Sequence, residues 1–252
     1  MTFWRCFCSL SVLVMIGAGC DDPVSVRPGT VTGEVVLYDE LGNQLPSAGG
    51  VQVAALSMSS IQQYQTSTNA SGWFQLELPS GENVPLMFSR DGFGDMFRYD
   101  VEEDQEPIQV GLFARSSAAP VEVIPVAESC GTVNCLRLAL DVDDFFAQGI
   151  TRRLFRLYLS TDPALESWDY QFTDLLIVPN DQPNLVKTGA GATFELDGLQ
   201  GLLDSFSAGT TVHLLVYGAT ENLESSYPEP DSGRPIFTDL SVASARASFI
   251  IP

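Results

Sequence analysis

The stretch TSTNASGWFQLELPSGENVPLMFS, residues 66–89, holds two short runs of alternating side chains on either side of a break rich in turn-forming residues. Successive side chains of a strand point to opposite faces, so Phe74, Leu76 and Leu78 fall on one side of the first run and Trp73, Gln75 and Glu77 on the other. A helix would keep Phe74 and Leu78 on one face but turn Leu76 to the other side. The spacing therefore predicts a strand with one face in a core. Gly72 supplies permissive backbone ahead of it, and Gly81 within PSGEN ends it before VPLMF begins a second strand.

The same pattern continues in both directions. Toward the amino terminus, TVTGEVVLY (30–38) leads into DELGN, where Gly42 and Asn43 can turn a hairpin, and VQVAAL (51–56) follows. Toward the carboxyl terminus come SRDGFG, MFRYDV (96–101) and IQVGLF (108–113), and then SSAAP (116–120), a linker by composition. Beyond it lie VEVIPV, LRLALDV, RRLFRLYLS, a loop-rich region from 161 to 191, ATFELDG, TTVHLLVYG and ARASFII. GLQGLLDSF (198–206) carries the spacing of a short helix, and YPEPDSGR (227–234) reads as an exposed loop. The expectation is an all-β chain of two β-sandwiches in tandem, residues 30–115 and 121–252. Each has enough alternating strand to close its own core and fold independently.

Composition limits what such a chain can do. It has 252 residues, 45% of them hydrophobic and 17% charged, which suffices for a real core. The formal net charge of -20 opposes the counterion-release attraction behind nucleic-acid binding, so DNA and RNA are excluded as expected partners. His213 is the sole histidine and Lys187 the sole lysine, leaving no material for paired imidazoles or a lysine cluster. No cofactor is expected.

The first residues, MTFWRCFCSLSVLVMIGAGC, set Arg5 ahead of an apolar run too short to span a bilayer, followed by small residues and Cys20. Residues 1–19 read as a cleaved signal peptide and 20–29 as a tether. The segment is similar to a bacterial lipoprotein signal, in which the cysteine is thioether-linked to lipid and becomes the first residue; Gly17 stands where that family carries Leu, Val or Ile. The resemblance implies lipid attachment at Cys20 and a membrane partner through that anchor, on the outer membrane or cell surface. Secretion after ordinary cleavage is the alternative. Of the remaining cysteines, Cys130 and Cys135 in SCGTVNC suit a local disulfide in an exported chain, since a structural zinc site would need four ligands.

Residues 30–115 resemble the carboxypeptidase regulatory-like domain, a transthyretin-like sandwich, on the strength of GEVVLYDELGNQLPSAGGVQVAAL, TSTNASGWFQLELPSGENVPLMFS and RDGF. That resemblance implies an accessory, non-catalytic module. Residues 121–252 look like a fibronectin type III or immunoglobulin-like sandwich through FRLYLSTDP, ATFELDGLQ and AGTTVHLLVYGATE, without the tryptophan usual in its second strand.

No GxSxG elbow and no GxxxxGK loop occurs. His213 reads as a structural strand residue on the face opposite Val212, Leu214 and Val216. Asp141, Asp143 and Asp144 are weak candidates for calcium, lacking the glycine and distal glutamate of an EF-hand. Tyr64, Trp73, Phe93, Trp168 and Tyr170 are candidates for an aromatic sugar platform, although such rings more often pack in cores. The expected role is a non-catalytic binding or assembly module at the cell envelope, with an envelope protein or a glycan as its partner. A glycan-binding surface lipoprotein and a hydrolase using loop carboxylates are the alternatives.

Overall fold

The alternation of Phe74, Leu76 and Leu78 is realised as a buried stripe, with Trp73, Gln75 and Glu77 exposed on the other face. The computed structural model describes residues 29–252 apart from 57–63, 79–83, 132, 144, 147–150, 182–184, 189–190, 201–202 and 221–224. The signal, the tether up to residue 28, Cys20, Asp144 and the PSGEN turn thus lie outside the described residues. Every regular element among the described residues is a strand.

The first sandwich contains β1 (Gly29–Tyr38), β2 (Gln52–Ala55), β3 (Tyr64–Ser67), β4 (Trp73–Leu78), β5 (Val84–Ser89), β6 (Met96–Val101) and β7 (Ile108–Phe113). One sheet has the order β4-β1-β7 and the other β3-β2-β5-β6. β1 is antiparallel to β4 but parallel to β7, with Gly33 opposite Ile108 and Tyr38 opposite Phe113. Val31, Val35, Leu37, Val53, Phe74, Leu86, Phe88 and Leu112 fill the space between the sheets. Each such side chain, removed from water, contributes roughly 1.5–3 kcal/mol.

The second sandwich contains β8 (Ala119–Cys130), β9 (Val133–Asp143), β10 (Arg152–Ser160), β11 (Phe172–Pro179), β12 (Val186–Thr188), β13 (Gly191–Gln200), β14 (Thr211–Ala219), β15 (Ser226–Pro228), β16 (Pro235–Phe237) and β17 (Ser244–Ile250). Sheets of order β12-β13-β9-β8 and β11-β10-β14-β17 enclose a core that includes Leu138, Leu140, Phe155, Leu157, Phe194, Val212, Leu214 and Val216. β10 is buried from Arg153 to Ser160 because it is covered on both faces. Its outer face carries Leu154 and Tyr158 into a second cluster with Leu165, Tyr170, Leu215 and Leu240.

Two expectations are corrected here. Residues 198–200 of GLQGLLDSF are strand, with Leu199 opposite Leu136 and Gln200 opposite Cys135 beyond a bulge after Leu196, and 203–206 form a turn. Pairing to β9 satisfies backbone groups that a lone helical turn on a sheet edge would leave open. The region 161–191 also contains β11 and β12, and β15 and β16 bracket residues 227–234 in a hairpin.

The stretch 116–120 is held firmly against both sandwiches. Glu40, in the turn that follows β1, accepts hydrogen bonds from Ser116 Oγ (3.1 Å), Ser117 N (2.9 Å) and Ser117 Oγ (2.8 Å). It also pairs with Arg153 of β10 at 2.6 Å. Arg153 Nε donates in turn to the Phe145 carbonyl at 2.7 Å. Nearby, the Ser116 amide donates to the Asp239 carbonyl at 3.0 Å. Gly94 abuts the Thr238 backbone so closely that a Cβ there would run into the Thr238 carbonyl.

Candidate functional site

Where β6 passes beneath the β15–β16 hairpin, a cleft of about 440 Å³ opens between the sandwiches. MFRYDV places Phe97 and Tyr99 two residues apart on one face of β6, with Met96 turned into the core. Their rings lie 6.3 Å apart and nearly parallel, with an interplanar angle of 13°. Tyr227, carried over by β15, sits 5.2 Å from Phe97 and 6.1 Å from Tyr99. The opposite wall is the outer face of β1 and β7, where Tyr38 stacks on Phe113 at 4.9 Å. A Cβ on Gly111 would stand 3.2 Å from the Phe113 ring and 3.3 Å from the Tyr38 ring, so glycine lets the two rings sit closer than a larger residue would.

Polar groups are few and fixed. Arg98 Nη2 donates to the Gln109 carbonyl at 3.2 Å, tying β6 to β7, and both residues line the cleft. Burial pushes the Tyr227 hydroxyl up to about 12, with Tyr99 and Asp95 adding to the effect. Tyr99 is raised by burial and by the neighbouring Glu229. Both phenols therefore stay neutral donors at ordinary pH. Glu229 is held below the usual carboxylate range by hydrogen bonds from Ser232, whose amide lies 2.6 Å from Glu229 Oε2, and from the Asp231 backbone.

The aromatic residues proposed from sequence do not form one platform. Tyr170 is buried against Tyr158 at 5.1 Å, with its hydroxyl on the Pro235 carbonyl. Phe93 is half-buried, with the Arg90 guanidinium 5.5 Å from its ring. Tyr64 packs against the first core, and Trp73 and Trp168 are exposed on different sandwiches. No two of the five form a ring pair among the described residues. Sequence reading missed Tyr38, Phe97, Tyr99, Phe113 and Tyr227. The one local signal is the shared face of Phe97 and Tyr99, since the sequence around Tyr227 reads as an exposed loop.

The other candidates sit as follows. Cys130 and Cys135 are joined in a disulfide at the tip of the β8–β9 hairpin. Asp141 accepts from Thr193 Oγ1 at 3.1 Å, and Asp143 is exposed at the end of β9. No group of three or more His, Cys, Asp or Glu side chains among the described residues could hold a metal ion. His213 lies on β14 between Ser160 and Ser248, its neighbours Val212 and Leu214 in the core.

No protein family matches the sequence, and no curated protein does. Among solved structures, the chain is similar to a Bacteroides uniformis protein with a provisional carbohydrate-binding assignment. The two share 9% identity over 88% of this chain and 98% of that one, with a TM-score of 0.31. It is also similar to DUF3823 family proteins from Bacteroides uniformis and Parabacteroides merdae. The first shares 10% identity over 89% of this chain and 100% of that one, with a TM-score of 0.32. The second shares 12% identity over 87% and 99%, with a TM-score of 0.26. Superpositions this loose carry no function from one chain to another.

Proposed function

We propose that the protein is a non-catalytic binding module of a cell envelope, held at a membrane through lipid on Cys20, and that the cleft between its sandwiches takes a glycan. The observation that supports this reading is the gathering of Phe97, Tyr99 and Tyr227 opposite the Tyr38–Phe113 stack in a cleft of about 440 Å³. Ring faces carry negative potential and attract the C–H groups on the flat side of a sugar. Neutral phenols, the Gln109 amide and the Arg98 guanidinium supply the convergent polar contacts that orient a ligand.

Hydrolysis by paired carboxylates fits poorly. A general acid needs a raised pKa, and Glu229, the carboxylate beside Tyr99, is lowered.

The test is binding of the full exported chain to a panel of immobilised oligosaccharides. Tyr99→Ala and Tyr227→Ala are each expected to weaken binding about tenfold, equivalent to ~1.4 kcal/mol, without loss of fold. A chain that binds no saccharide would overturn the glycan reading. Cys20→Ser is expected to release the protein from membranes, and a wild-type chain already soluble and free of lipid mass would overturn the anchor.

A further inference from the structure

A second, wider cleft of about 1140 Å³ opens beside the aromatic one. Asp95 borders it, and Met96, the next residue, lines the first, so the two follow one another along the same segment. Its distinctive feature is a pair of arginines organised by Phe93. Arg90 lies over the Phe93 ring, and Arg115 Nε donates to the Phe93 carbonyl at 3.0 Å. Neither forms an ion pair with a described residue. The Arg90 side chain makes no hydrogen bond to any described residue, and its Nη1 is shut away from solvent without an acceptor. In a chain with a net charge of -20, two arginines left without a carboxylate partner in one cleft call for an explanation.

We infer that this cleft binds a carboxylate, and that the ligand is an acidic saccharide whose uronate group meets Arg90 and Arg115 while a neighbouring sugar lies on the aromatic cleft. The inference rests on the glycan reading above. Asp91 and Asp95 share the cleft with the two arginines, so the site is close to electroneutral. A dianion such as phosphate would meet stronger repulsion from both aspartates than a monoanion does, and a planar carboxylate suits the guanidinium fork. Gly50 and Gly92 leave open space where side chains would project, and Val242, 84% exposed, offers an apolar contact for the carbon skeleton attached to the carboxylate.

The experiment is calorimetric titration of the full exported chain at low salt with trigalacturonate, with its methyl ester, which keeps the shape but not the charge, and with hexaglutamate. Wild type is expected to bind the acid at least tenfold more tightly than the ester. Arg90→Gln is expected to abolish that difference by weakening binding of the acid at least tenfold, with a cooperative thermal transition retained as the check on folding. Arg115→Gln is expected to do the same, and if its turn fails to fold, Arg90→Gln alone decides, since that side chain makes no hydrogen bond to a described residue. Equal affinity for acid and ester, or a difference that survives Arg90→Gln, would overturn the uronate site and leave the glycan reading standing. Binding of neither saccharide would overturn this site and count against the glycan reading as well. Binding of hexaglutamate alone would overturn it in favour of an acidic peptide.

Discussion

The carboxylate of Glu40 and the guanidinium of Arg153 meet at 2.6 Å across a sequence separation of 113 residues, and the Arg153 side chain is only 2% exposed. A charge so removed from water depends on its partner. Glu40→Ala removes this carboxylate, while the hydrogen bonds to the Phe145 carbonyl and Ser117 Oγ stay in place. The expected loss is about 3 kcal/mol, at the low end for breaking a buried pair because Glu40 is partly exposed. Replacing both partners, Glu40→Leu with Arg153→Met, should cost much less than the two single changes added together. Urea unfolding of the four proteins in this cycle measures the coupling.

Gly94 tests the contact between the sandwiches at a single atom. Gly94→Ala drives a methyl group into the Thr238 carbonyl, so one backbone must move. The expected cost is about 1–3 kcal/mol, read as a lower melting temperature. Saccharide affinity should fall too, because Thr238 lies next to the hairpin that carries Tyr227.

Tyr227 gives a pH dependence with a definite sign. Its hydroxyl titrates near 10 in the unfolded chain and is pushed up to about 12 in the folded one, chiefly by burial. Between those values the unfolded state has lost a proton that the folded state keeps, so the unfolded state binds fewer protons and stability falls as pH rises. Below pH 10 the contribution is fully present. Tyr227→Phe should flatten this part of the stability profile, and tyrosinate absorbance should show one fewer late-titrating group.

Reducing the Cys130–Cys135 bridge should lower stability by about 2 kcal/mol, since the loop it closes is short. Fold and saccharide binding should survive, because the hairpin tip lies outside the cleft lining. Mass spectrometry of the non-reduced chain checks the bridge itself: two free thiols would contradict it.

What could be read from the sequence was whatever is encoded over a few neighbouring residues. Phe74, Leu76 and Leu78 announce a one-faced strand because each local choice agrees with the sheet that receives it. GLQGLLDSF misled because its leucines carry a helical period, while its first residues gain more by extending β13 along β9. The aromatic cleft was illegible for a different reason. Phe97 and Tyr99 belong to the first sandwich and Tyr227 to the second, and nothing within either segment says that they meet. Arg90 and Arg115 were silent as well, their common organiser Phe93 having been read as a member of a platform.

The parallel pairing of β1 with β7 has a mechanical consequence. The chain enters the first sandwich at Gly29 and leaves β7 at Phe113, beside Tyr38 at the far end of β1. If the chain is held ahead of Gly29 and pulled through its second sandwich, tension draws β1 and β7 lengthwise in opposite directions. The evenly spaced hydrogen bonds of a parallel pair then bear the load together instead of opening one after another. Such a joint resists tearing along the strands far better than a pair unzipped from one end.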